Sequence, residues 1–182
     1  MTLHTATAIT TAAEAPILRL VGDLEDLFRN HHALVFRAAY RITGNASDAE
    51  DVLQTIFLRL AGRDPSFLPV ERQESYLRRA AINAALDVAR RRGRSREDSS
   101  EGLPDPGQHE PDRQELRACL RQALARLAPR EAEVFTLRFL EGYSNTEIAQ
   151  MLRLSRVSVA VIVHRARRRL QLEIRSYLGG KS

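Results

Sequence analysis

The chain has 182 residues, 43% of them hydrophobic, and a net charge of +5. That apolar share suffices for one domain or two small ones and excludes wholesale disorder. No run reaches the roughly 18 consecutive apolar residues of a membrane span, and the N-terminus lacks the basic and apolar segments of a signal peptide, so a cytoplasmic protein is expected. Cys119 is the lone cysteine, which excludes an internal disulfide or a cysteine metal cluster. Its neighbours Leu116, Leu120 and Leu124 make it a buried, inert thiol. Lys181 is the single lysine, so positive charge is carried almost entirely by guanidinium groups, which suit bidentate phosphate and base-edge contacts or simply reflect a genome's preference for arginine.

Residues 1–15 are expected to be disordered. A first helical block follows over residues 16–92. Pro16 opens a pattern carrying Ile17, Leu20, Leu24, Leu27 and Phe28 on one face, continuing through Val35, Ala38 and Ile42 to Gly44, a helix-ending residue. Ser47 and Glu50 have capping-box spacing and start a second helix through Val52, Ile56, Phe57 and Leu60. Pro65 and Pro69 break the chain after Gly62. A third helix from about Glu71 to Arg92 turns Leu77, Ala81, Ala84 and Val88 inward and aligns Arg79, Asn83, Asp87 and Arg90 on another face. The adjacent His31 and His32 diverge by about 100° on a helix and do not converge on a metal.

From Gly93 to Asp112 the composition shifts to Ser, Gly, Pro and acids with almost nothing to bury, which reads as a flexible linker of residues 93–112. The second block, residues 113–178, begins with a helix marked by Leu116, Leu120, Leu124 and Leu127. A helix opened by Pro129 follows, carrying Val134, Phe135, Leu137 and Leu140 and ending at Gly142. Ser144 and Glu147 then form a capping box, and Ile148, Ala149 and Leu152 make one apolar face. Ser155 caps a last helix with Val159, Val163, Ala166, Leu170 and Ile174 as its stripe, flanked by Arg165, Arg167, Arg168 and Arg169. This pair is a helix-turn-helix whose second helix suits a phosphate backbone and the major groove. No strand alternation appears. The expectation is an all-α chain of two small helical domains, with three helices in the first and a helix-turn-helix in the second.

Together the pieces resemble the extracytoplasmic-function group of bacterial RNA polymerase sigma factors. AYRITGNASDAEDVLQTIFLRL at 39–60 is similar to region 2.1 to 2.2 of that family, and YLRRAAINAALDVARRR at 76–92 to regions 2.3 to 2.4. LAPREAEVFTLRFLEGYSNTEIAQML at 127–152, followed by HRARRRL at 164–170, resembles region 4. The resemblance implies a sigma factor that binds core RNA polymerase, melts promoter DNA and starts transcription. It places Asp48, Glu50, Asp51, Gln54 and Phe57 on the polymerase-facing surface. It places Tyr76, Arg79, Asn83, Asp87, Arg90 and Arg91 against the −10 element, where Asn83 can hydrogen-bond a base edge and the arginines can neutralise phosphates. Tyr76 can equally stack on a base or sit between helices.

Region 4 would read the −35 element with Ser155, Arg156, Ser158, Ala160, Val161, His164, Arg165, Arg167 and Arg168. Here the chain departs from the family pattern. Ala160 and Val161 stand where many relatives have basic or small polar residues, so they can touch thymine methyls without bidentate guanine readout. Arg153 stands in the turn where relatives often have Gly. His164 lacks a second ligand at metal-binding spacing. An anti-sigma partner is implied by the family; no cofactor, metal or small-molecule substrate is expected, and no enzyme motif is found. The competing reading is a helix-turn-helix transcription regulator that does not bind polymerase as a sigma subunit.

Overall fold

A computed structural model describes the backbone of residues 11–62, 68–98 and 111–179. Seven helices occupy these residues: α1 Thr11–Thr43, α2 Ala46–Ala61, α3 Val70–Asp98, α4 Pro111–Arg126, α5 Pro129–Phe135, α6 Asn145–Leu152 and α7 Arg156–Gly179. A π-helical turn, Thr136–Leu140, continues α5. Among the described residues there is no strand, so the all-α expectation holds.

The first unit packs α1 along both α2 and α3. Val35, Ala38 and Ile42 of α1, Val52, Ile56 and Leu60 of α2, and Leu77, Ala81, Ile82 and Leu86 of α3 fill its centre. Gly44 ends α1 at φ 65°, a left-handed conformation that glycine adopts without Cβ strain. In the second unit α7 packs against α4, α5 and α6 over Leu124, Leu127, Val134, Leu137, Ile148, Val159, Ala166 and Leu170. The two units are not separate in this arrangement. Helix α3 also packs on α4 and α5, and buried apolar residues of both units form one continuous cluster.

Several local expectations are corrected. Helix α2 is capped by Asn45, whose side chain accepts the Asp48 amide at 3.1 Å, and not by a Ser47–Glu50 box. The helix begins before Ser47, which leaves Ser47 inside the first turn where its hydroxyl has no cap to make. Helix α1 includes Thr11 to Ala15, within the segment expected to be disordered; residues 1–10 lie outside the described ones. Helix α3 runs on to Asp98 and α4 starts at Pro111, so helix enters both ends of the expected linker, whose residues 99–110 lie outside the description. The same is true of residues 63–67, in the loop containing Pro65. Leu116 is exposed, whereas Leu124 and Leu127 of the same stripe are buried.

The second unit keeps its expected caps. Ser144 and Glu147 make the reciprocal capping box, at 3.2 Å and 2.8 Å. Ser155 Oγ accepts the Ser158 amide at 3.0 Å. Arg153 adopts the left-handed conformation that a glycine would, φ 54° and ψ 46°, and the Leu154 amide closes the helix end on Ala149 at 2.9 Å. The turn therefore keeps glycine-type geometry at a cost of about 1 kcal/mol for a residue with a Cβ.

Candidate nucleic-acid and polymerase interfaces

Helix α7 presents its sequence-predicted contacts to solvent. Arg156, Ser158, Ala160, Val161, His164, Arg165, Arg167 and Arg168 are all exposed, whereas Val159, Ala166 and Leu170 are buried beneath them. Among the described residues Arg156, Arg165, Arg167 and Arg168 make no ion pair, while Arg169 is tied to Glu131 at 2.7 Å. Ile162 packs on the core, so the outward apolar positions are Ala160, Val161 and Val157, the last 72% exposed. Val157 escaped the sequence reading, although its position four residues before Val161 carries the signal. Ser155 and Ser158 turn their hydroxyls to each other at 2.8 Å, so both serve the helix start.

Helix α3 behaves differently. Arg79, Asn83, Asp87 and Arg90 do share a face, but that face borders a cleft of about 380 Å³ whose other wall is Pro129, Arg130 and Glu133 of the second unit. Glu133, nearly buried, accepts from Arg79 Nε at 3.0 Å, Asn83 Nδ2 at 3.3 Å and Arg130 at 2.8 Å. Arg79 also donates to the Met151 carbonyl at 3.2 Å. Arg90 pairs with Asp87 at 2.9 Å and reaches the Leu127 carbonyl at 3.5 Å. Arg91 is exposed, and Tyr76 is half-buried against the core.

A second acid closes the same junction. Glu141, with its side chain 1% exposed, lies between Arg41 at 2.7 Å and Arg78. Arg78 also pairs with Glu74 at 2.7 Å and lies over the Tyr143 ring at 5.4 Å. Burial opposes the Arg78 charge, but its hydrogen bonds to Glu74 and Glu141 outweigh that and hold the guanidinium above its ordinary pKa. Burial pushes the Tyr143 hydroxyl up, despite the nearby Arg78. The π turn brings Glu141 here: its amide bonds back to Thr136 at 3.0 Å, five residues away, and Arg41 also reaches the Leu140 carbonyl at 3.4 Å.

On α2, helical phase divides the expected polymerase surface. Glu50, Asp51 and Gln54 face outward, joined by Leu58 at 72% exposure, a position the sequence reading passed over. Asp48 and Phe57 face inward with Val52, Ile56 and Leu60. Asp48 is paired with Arg92 at 2.6 Å, and its carboxyl is raised by burial, which the Arg92 charge only partly offsets. Phe57 stands edge-on to Phe28, ring centroids 4.9 Å apart. Cys119 is buried, as expected, and burial raises its thiol. His32 bonds back to the Phe28 carbonyl at 3.1 Å. Among the described residues no group of three His, Cys, Asp or Glu side chains converges on a metal, and no helix is long and apolar enough to cross a membrane.

Known proteins share this organisation. Residues 27–95 match the Sigma-70 region 2 family and residues 117–170 match Sigma-70, region 4. The RNA polymerase sigma-E factor of Streptomyces avermitilis is 34% identical over 157 residues, covering 86% of this chain and 87% of that protein. The ECF RNA polymerase sigma factor SigL of Mycobacterium tuberculosis is 31% identical over 169 residues, covering 90% and 92%. The sigma factor RpoE of Bartonella quintana, solved with the anti-sigma factor NepR, shares the fold at a TM-score of 0.52 and 22% identity, over 84% of this chain and 97% of that one. Two matched regions in the order α1–α3 then α4–α7, with similarity along most of the chain, leave one conclusion: the protein belongs to the extracytoplasmic-function group of RNA polymerase sigma factors.

Proposed function

We propose that this sigma factor binds core RNA polymerase through the outward face of α2 and contacts promoter DNA through α3 and α7, acting in the cytoplasm without catalysing a reaction itself. The observation that carries the reading is the outward face of α7, where Arg156, Arg165, Arg167 and Arg168, exposed and without an ion pair among the described residues, flank Val157, Ala160 and Val161. Such a face binds duplex mainly through phosphate and reads bases only by apolar contact with thymine methyls. Helix α3 supplies Asn83 for a base edge and Arg79, Arg90 and Arg91 for the displaced strand. Glu50, Asp51, Gln54 and Leu58 form the polymerase-facing surface, a combination of acid, amide and aliphatic groups suited to a basic, partly apolar partner helix. An anti-sigma protein would act by covering these same faces, as a sigma factor solved with its anti-sigma factor is known for this fold.

Transcription with purified core polymerase on a promoter library tests the proposal. Transcripts that require this protein and share an upstream pair of elements are expected. Loss of polymerase capture on replacing Asp51, Gln54 and Leu58 with alanine is expected as well. Capture that survives the triple substitution sinks the α2 assignment, and DNA binding without polymerase-dependent transcripts would favour a stand-alone helix-turn-helix regulator.

A further inference from the structure

We propose that Glu133 and Glu141 form an intramolecular acid latch that keeps Arg79 and Asn83 from single-stranded DNA until the two units separate. The inference rests on the assignment of Arg79 and Asn83 to the −10 strand. Glu133 meets both of them on one wall of the cleft and its own unit's Arg130 on the other. A carboxylate accepting charge-assisted bonds from a guanidinium offers the same chemistry as a phosphate oxygen. While Glu133 holds these donors, a DNA phosphate must displace it. Glu141 fastens the same junction from a second point: Arg41 comes from α1 and Arg78 from α3, so one carboxylate ties two helices of the first unit to the end of the π turn.

Both carboxylates return to water when the units part, so opening leaves no charge stranded and the closure is reversible. The latch also explains the uneven fate of the two arginine faces. Of the α7 arginines, Arg156, Arg165, Arg167 and Arg168 make no ion pair among the described residues, and Arg169 is tied to Glu131 instead; on α3, Arg79 and Asn83 are engaged by Glu133. A partner that gains from contacting the two units apart, as a polymerase spanning both promoter elements does, would release α3 at the moment it becomes useful.

The test uses the full chain carrying Glu133→Gln and Glu141→Gln, which keep side-chain shape and remove charge. Binding is read with a fluorescent, mixed-sequence single-stranded oligodeoxynucleotide of about 12 nucleotides. If the open form is about a tenth of the free population, the double variant binds about tenfold more tightly. Small-angle scattering should show a larger radius of gyration, with helix content unchanged by circular dichroism. An unchanged affinity, with or without expansion, overturns the latch. Adding Arg79→Ala to the double variant separates this failure from failure of the site itself: if it weakens binding, Arg79 contacts DNA whatever the latch does; if it does not, the −10 assignment falls. Charge reversal supplies a further check, since Glu141→Arg should open the chain and Arg78→Glu in the same chain should close it again; expansion that Arg78→Glu does not reverse also overturns the latch.

Discussion

Helices α3 and α7 carry similar chemistry and meet different surroundings. Each lines up arginines beside a buried stripe, yet those of α7 stand in solvent while Arg79 and Arg90 of α3 are held by Glu133, Asp87 and main-chain carbonyls. The difference lies in the neighbours: α7 shows its polar face to water, whereas α3 is packed by α1 and α2 on one side and by α4 and α5 on the other. A basic helix is thus available or occupied according to which acids the fold brings to it.

The largest expected effect tests how firmly α3 joins the units. Ile82 is fully buried in the shared cluster, so Ile82→Ala should cost about 3 kcal/mol, and calorimetry should show one melting transition moving down as a whole. Two transitions, with only the first shifted, would break the idea of a common core.

Next comes the contrast in DNA binding. Replacing Arg165 and Arg168 with alanine should remove about two phosphate contacts, lowering the slope of log affinity against log salt by about 1.8 and weakening duplex binding about 60-fold near 0.1 M salt. The paired change Arg79→Ala with Arg90→Ala should cost the free chain less than about threefold, because those groups are already engaged. Equal losses would erase the distinction between the helices.

The turn that sets α7 is testable on a smaller scale. Ser144→Ala removes the cap hydroxyl and should cost about 1 kcal/mol in urea melts. The Ser144 hydrogen bonds hold the Glu147 carboxyl below its ordinary value. Its contribution is therefore complete above the unfolded carboxylate range and lost as pH falls through the lower folded value, and Ser144→Ala should flatten stability in that acidic window. Arg153→Gly should move the other way, gaining about 0.5 to 1 kcal/mol, since φ 54° suits glycine.

Local features were the ones legible in the residues. The Ser144–Glu147 box, the Ser155 cap and the Val159, Ala166, Leu170 stripe follow from interactions within a turn or two, which spacing encodes directly. The division of α2 was half legible: the period places Val52, Ile56 and Leu60 inward, but Asp48 and Phe57 followed them because a helical face is broader than its most apolar positions. The junction between the units left no such trace. Glu133 and Glu141 sit among ordinary helix formers, and nothing in their spacing reveals partners 54 and 63 residues away. The π turn that aims Glu141 has the spacing of plain helix, because one extra residue in a turn barely disturbs the apolar pattern.

The smallest effect concerns Asp48, which the family resemblance places on the polymerase-facing surface and the fold turns inward. Its Oδ1 meets Arg92, while Oδ2 is buried with no hydrogen-bond partner among the described residues. Burial raises its pKa, with Arg92 opposing and Asp51 adding to the rise. The folded chain therefore binds this proton more tightly than the unfolded chain does. By linkage, the residue's contribution is most favourable below the unfolded value and declines as pH rises from there through the raised folded value. At neutral pH the ionised carboxylate is a net burden that Arg92, itself half exposed, relieves only in part. Asp48→Asn should accordingly change stability by less than about 1 kcal/mol at pH 7, and it should remove the decline between the two values. Polymerase capture should be unchanged, in contrast to the outward α2 triple. A severe loss of stability would mean that the Arg92 pair outweighs desolvation, and a loss of capture alone would return Asp48 to the polymerase-facing surface.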